Sequence, residues 1–201
     1  VNPHGGAVSC VKDIHFEVLA PDELANRDEE GLGFLDWPVN VLRFALECER
    51  LAEIMEDARD APVKPVCFFD GSLIISFIQQ ADRKQQEIYL GAVTRMLDAS
   101  EENRVPLVGY VDTSYAKDLM AMFNVLTGQR TRQRISDGAL LRSRMQWGDR
   151  TVAYVCARDD KVPPLDGSKY YDRVLFVYLK TTADRPPARL DLPAWLLEDG
   201  E

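Results

Sequence analysis

The stretch Val66-Cys67-Phe68-Phe69-Asp70-Gly71-Ser72-Leu73-Ile74-Ile75-Ser76-Phe77 decides how this chain is read. Two apolar runs rich in Val, Phe and Ile flank one carboxylate, which is followed by Gly and Ser. Runs of this composition read as buried strand rather than amphipathic helix, so a strand is predicted over 66–78. A carboxylate in such a strand loses hydration. A metal ion, a backbone N–H or an arginine can compensate it. An Asp at a strand end or bulge beside a Gly is also the placement that two-metal phosphodiester chemistry requires.

Outward from this stretch, helical and extended segments alternate. Upstream, Trp37-Pro38 opens a helix, with Pro38 suited to the first turn and Asp36 placed to cap. Val41, Leu42, Ala45, Leu46, Leu51, Ala52, Ile54 and Met55 form an apolar stripe to about residue 57. The segment Asp60-Ala61-Pro62-Val63-Lys64-Pro65 breaks it. Downstream, the spacing predicts a helix over 86–99, a turn at 101–104 and a buried strand over 105–111. A further helix is expected over 116–126, capped by Thr113 or Ser114 and ended by Gly128. A short helix over 137–146 and strands over 151–157 and 171–180 follow. A short extended piece at 188–192 lies in the Pro-rich end. The expected fold class is α/β, bordering on α+β, with a mixed sheet flanked by helices. The expected organisation is an acidic, loop-rich segment over 1–35 with one short strand at 15–19, a main domain over 36–196 and a tail over 197–201.

The 201 residues are enough for one substantial core, and no apolar run approaches the ~20 residues of a membrane span. The start Val1-Asn2-Pro3-His4 has no secretory pattern, and beginning at Val marks the chain as an expected fragment. Cys10, Cys48, Cys67 and Cys156 are scattered, and His4 and His15 are the only histidines, which disfavours a zinc site. Free cysteines suit a reducing, cytoplasmic setting.

The net charge of −9 at first disfavours nucleic acid as a partner. Residues 1–60 account for all of it, with fourteen acidic and five basic residues, and the rest of the chain balances. Within that balance, 129–150 carries Arg130, Arg132, Arg134, Arg142, Arg144 and Arg150 against Asp137 and Asp149. This local excess is as consistent with a solvated face as with phosphate contacts. Lys117 and Arg150 are candidate phosphate ligands.

Asp70 leads the candidates for chemistry. The preceding helix carries Glu47, Glu49 and Glu53, and a short connection can bring one of them beside Asp70. Two carboxylates sharing a magnesium or manganese ion are a minimal phosphodiester-cleaving site. Each glutamate taken singly reads more readily as a solvated helix charge. A second Asp-Gly-Ser, at 166–168, lies among prolines and reads as a turn. There is no Gly-rich phosphate loop and no serine in a nucleophile elbow, and Trp195 reads as a packing anchor.

Taken in order, several segments resemble the NurA nuclease family. They are the helix Leu42–Met55, Phe68-Phe69-Asp70-Gly71-Ser72-Leu73-Ile74, and Pro106-Leu107-Val108-Gly109-Tyr110-Val111 with Ser114 and Lys117-Asp118-Leu119. Beyond these lie Ser136-Asp137-Gly138-Ala139-Leu140-Leu141, Trp147-Gly148-Asp149-Arg150-Thr151, Val174–Leu179 and Ala188–Trp195. The resemblance implies an RNase H-like core and a manganese-dependent DNA nuclease, with magnesium as the alternative ion. It implies 5′ to 3′ exonuclease and single-strand endonuclease activity on DNA ends. The implied partners are a HerA-type hexameric DNA-translocating ATPase and a second copy of the chain. Asp70 is then a metal ligand, with Glu47 as first and Glu49 as second choice for a helix ligand. Lys117, Arg130, Arg132, Arg134 and Arg150 are the expected DNA contacts.

The chain departs from the family pattern at both ends. Residues 1–40 contain no earlier strand ending in Asp-Gly-Ser, and the chain stops at Glu201, before a Tyr and His segment. Weak or no cleavage is therefore expected from this chain alone, and activity from its full-length parent. The competing expectation is a catalytically incomplete, nuclease-like module for dimerisation or for binding the ATPase.

Overall fold

The computed structural model describes residues 18–20, 25–28, 31–34, 37–128, 135–156 and 170–198. The strand expected at 15–19, the cap at Asp36, the turn at 166–168 and Arg130, Arg132 and Arg134 lie wholly or partly outside them. The chain divides into two compact units, residues 1–40 and 41–201. The first contains an antiparallel pair, β1 (Ala25–Asp28) with β2 (Gly31–Phe34).

The second unit is built on a five-stranded mixed sheet. Its strands are β3 (Cys67–Phe69), β4 (Leu107–Val111), β5 (Tyr154–Val155), β6 (Val174–Leu179) and β7 (Ala188–Pro193). Their spatial order is β3-β4-β7-β6-β5, with β3 and β4 parallel and every other neighbour antiparallel. The helices are α1 (Trp37–Asp57), α2 (Arg83–Asn103), α3 (Asp118–Thr127), α4 (Asp137–Leu141) and α5 (Trp195–Glu198). This is the expected α/β class, a mixed sheet flanked by helices, and it is compatible with an RNase H-like core. No described helix is long and apolar enough to cross a membrane.

The expected strand over 66–78 is only three residues long. After Phe69 the chain leaves the sheet, and Leu73, Ile74 and Ile75 enter the core as an irregular segment before a 3-10 turn at Ser76–Gln80. Apolar composition reported burial correctly there, but burial does not require a ladder. The Ile75 N–H is satisfied instead by the Tyr170 hydroxyl, at 2.9 Å. Burial of that phenol raises its pKa, so it stays protonated at neutral pH.

α1 has the bounds its pattern predicts. Its Phe44 packs edge-on against Phe69 and against Tyr89 of α2, with centroids 5.6 and 5.0 Å apart, which docks both helices on β3. α2 runs four residues past its expected end, through the predicted turn, to a left-handed cap at Arg104. Asn103 supports this last turn from inside, donating to the Ala99 carbonyl and accepting from Arg59 Nε. Trp195 is the expected anchor: it is buried, its Nε1 donates to Ser100 Oγ, and Arg104 lies over its ring. Buried Cys48 has its thiol pushed up to about 12 by burial, then by Glu47 and Glu49, which makes it a core residue rather than a nucleophile.

The piece at 188–192 turns out to be the centre of the sheet. β7 pairs with β6 over six residues and with β4 on its other side. Its alternation is unusual, because the positions facing the core include Arg189 and Asp191, at 2% and 0% exposure.

Candidate functional site

β3 and β4 end side by side, with Phe69 opposite Gly109. In open α/β sheets the crevice beyond the carboxyl ends of parallel strands is where ligands bind. A cleft of about 700 Å³ lies there, lined among others by Ser72, Thr113, Ser114, Lys117, Asp118 and Arg189. β7 runs opposite to β4, so its first residues reach the same end of the sheet and contribute Arg189.

Asp70 is the first residue past β3. Exposure alternates along the strand: Cys67 and Phe69 are buried, Phe68 and Asp70 are exposed. Asp70 is therefore not the desolvated strand carboxylate that the apolar runs suggested. It sits on a strand end, two residues before the cleft-lining Ser72.

The segment after Asp70 is fixed closely. It crosses β4 at Gly109, where an added Cβ would stand 2.8 Å from the Gly71 carbonyl oxygen and 2.9 Å from Leu73 Cγ. One of these neighbours is backbone and cannot move aside cheaply. Gly109→Ala is expected to cost about 1–3 kcal/mol through overpacking, read as a lower urea midpoint with unchanged m-value. An unchanged midpoint would contradict the close crossing.

That crossing brings Ser72 and Leu73 onto β7. Ser72 Oγ donates to Asp191 Oδ2 at 2.6 Å, and the Leu73 N–H donates to the same oxygen at 3.1 Å. Arg189 Nε donates to Asp191 Oδ1 at 2.7 Å, and Arg189 Nη1 donates to Asp118, at the start of α3. Arg189 also lies over the Phe176 ring, 4.2 Å from its centroid. Burial opposes the Arg189 charge, but Asp191 and then Asp118 more than offset it, so its pKa stands above the ordinary value.

The expected site residues are distributed as follows. Glu47 is half-exposed and pairs loosely with Arg43 at 3.9 Å, and Glu49 pairs with Arg95 at 3.7 Å. Glu47 follows Phe44 by three residues, so it lies on an adjoining row of the helix that Phe44 docks against Phe69. Among the described residues, no three His, Cys, Asp or Glu side chains are gathered as a metal cluster. Lys117 is exposed and lines the cleft. Arg150 is exposed and bridges to Leu179, the last residue of β6, at the same end of the sheet. Three inter-strand spacings, ~14 Å, separate that bridge from β4.

Manganese and magnesium take hard oxygen ligands, and one or two carboxylates suffice when substrate phosphates and water complete the shell. The chemistry of the donors fits such an ion. Asp70 has no hydrogen bond or ion pair to another described residue to compete for its oxygens, and Glu47 and Glu49 are held only by long, solvent-exposed pairs, whereas Glu53 is paired with Arg50 at 2.8 Å.

Sequence reasoning missed two features. Asp112 follows the apolar run 105–111 as Asp70 follows 66–69, and that shared pattern of an apolar run ended by Asp was the available signal. The Asp118–Arg189–Asp191 cluster also went unread. Its signal was a pair of opposite charges two residues apart in an otherwise apolar strand, which places both on one face.

Against known proteins, the family model for the NurA domain matches residues 6–201. No curated protein and no solved structure matches the chain.

Proposed function

We propose, on the premise that this chain belongs to the NurA domain family, a nuclease family, that it forms part of a metal-dependent nuclease that processes DNA ends. The observation that carries this reading is a strand-end carboxylate, Asp70, with no competing partner among the described residues, two residues before Ser72 of a hydroxyl- and cation-lined cleft. Asp70 holds a manganese ion, with Glu47 or Glu49 as a helix ligand and magnesium as the alternative ion. When bound, the ion supplies Lewis acidity and an activated water at the scissile phosphate.

The chain's own residues bind and orient the strand. Lys117 and the hydroxyls of Thr113 and Ser114 meet phosphate oxygens in the cleft, and Arg150 meets the backbone farther along the same end of the sheet. Arg130, Arg132 and Arg134 extend this basic contact, which makes binding salt-sensitive. The 5′ to 3′ exonuclease and single-strand endonuclease activities, the HerA-type ATPase partner, the homodimer and a cytoplasmic location belong to the same proposal. They rest on family membership.

The test is cleavage of linear single- and double-stranded DNA with manganese by the protein expressed from its whole reading frame. Asp70→Asn, folded by circular dichroism, should reduce cleavage at least ~100-fold, since it removes a charged ligand of the ion. Equal cleavage by both proteins would remove Asp70 from the site. No cleavage by either, with folding intact, would favour the adaptor reading and make ATPase binding the next measurement.

A further inference from the structure

The Asp191 carboxylate is wholly buried, 121 residues from Asp70 in sequence. Both of its oxygens are engaged by three donors. Oδ1 accepts from Arg189, and Oδ2 accepts from both the Ser72 hydroxyl and the Leu73 N–H. Asp191 is therefore not available as a metal ligand itself. What it holds is the turn that leaves Asp70.

That turn is fixed at three points. The β3 ladder pairs Phe69 with Gly109 immediately before Asp70. The missing Cβ of Gly109 lets Gly71 lie directly on β4. Asp191 then receives two donors from the next two residues. Ser72 Oγ also accepts from the Ile74 N–H at 3.0 Å, so one hydroxyl joins the turn to the central strand and closes it on itself. Asp70 lies between the ladder and this clamp, and its backbone has little freedom left.

We infer that Asp191, acting through Ser72, is a positioning residue that fixes the direction of the Asp70 carboxylate toward its metal ion, with Arg189 holding Asp191 in place. This rests on the reading of Asp70 as a metal ligand. Groups that orient a ligand by hydrogen bonds typically change metal affinity 10–100-fold when removed. A buried ion pair is also weak as a stability device, since apolar residues of similar volume often serve as well. Its placement behind the strand-end carboxylate Asp70 is accounted for by positioning.

The test is Ser72→Ala, which removes the donor to Asp191 and the acceptor of the Ile74 N–H but leaves the Leu73 and Arg189 bonds to Asp191 intact; retention of the fold is checked by circular dichroism. Manganese binding is measured by titration calorimetry on wild type, Ser72→Ala, Ser72→Thr and Asp70→Asn. The expected result is manganese affinity about tenfold weaker in Ser72→Ala and restored in Ser72→Thr. Affinity within twofold of wild type in Ser72→Ala, while Asp70→Asn abolishes binding, would overturn the positioning role and leave the ligand role standing. Unchanged affinity in Asp70→Asn as well would overturn both, the ligand reading first.

Discussion

Arg189→Leu should lower the stability of the fold by about 3–5 kcal/mol, because breaking a buried ion pair from one side leaves an uncompensated charge. Two carboxylates pair with this guanidinium. Asp191 has no exposed surface, and Asp118 has a side chain only 17% exposed. The leucine side chain fills part of the volume and still packs on Phe176, so a cavity contributes little. The loss is electrostatic. Urea unfolding followed by tryptophan fluorescence measures it, and Arg189→Lys separates its parts. Lysine keeps the charge but cannot present the paired donors that reach Asp191 and Asp118 together, so an intermediate loss is expected. A fall of less than 1 kcal/mol for Arg189→Leu would show that the carboxylates find other partners.

Asp137→Ala is the second large effect, about 1.5–5 kcal/mol. Asp137 opens α4 but caps a different helix. Its Oδ2 accepts from the Leu119 N–H at 3.0 Å and its Oδ1 from the Met120 N–H at 3.1 Å, both in the first turn of α3. The Tyr178 hydroxyl donates to Oδ2 at 3.0 Å from β6. Losing the cap costs about 0.5–2 kcal/mol. Stranding a buried hydroxyl adds about 1–3 kcal/mol. Burial and the neighbouring Asp137 raise the Tyr178 pKa, so the phenol remains a donor across the physiological range. The cycle with Tyr178→Phe measures the pair: if the hydroxyl contributes as described, the double variant loses less than the sum of the singles. Strict additivity would remove Tyr178 from the cap.

These two residues also mark the limit of what the chain discloses by pattern. Thr113 and Ser114 were the expected caps for the helix that became α3, because they stand just before it. Ser114 Oγ instead accepts from the Ala116 N–H, and the cap comes from Asp137, eighteen residues beyond Leu119. Gly128 is different. It ends α3 in a left-handed conformation, φ +64°, as predicted, because a C-terminal glycine is read by backbone sterics that travel with the residue.

The sequence by itself determined the elements whose cause is local. The apolar stripe of Val41 to Met55 set α1, the burial of residues 73–75 followed from their composition, and Asp70 stood out as a lone carboxylate between apolar runs. Family membership was legible in the order of such segments. Only the tertiary structure decided that 71–75 leave the sheet, that β7 lies at its centre, and that Asp191 reaches back to Ser72. The physical reason is that a buried polar group must be satisfied, but any donor in reach will serve. Sequence shows which groups need a partner; only the folded chain brings residue 191 within 2.6 Å of residue 72.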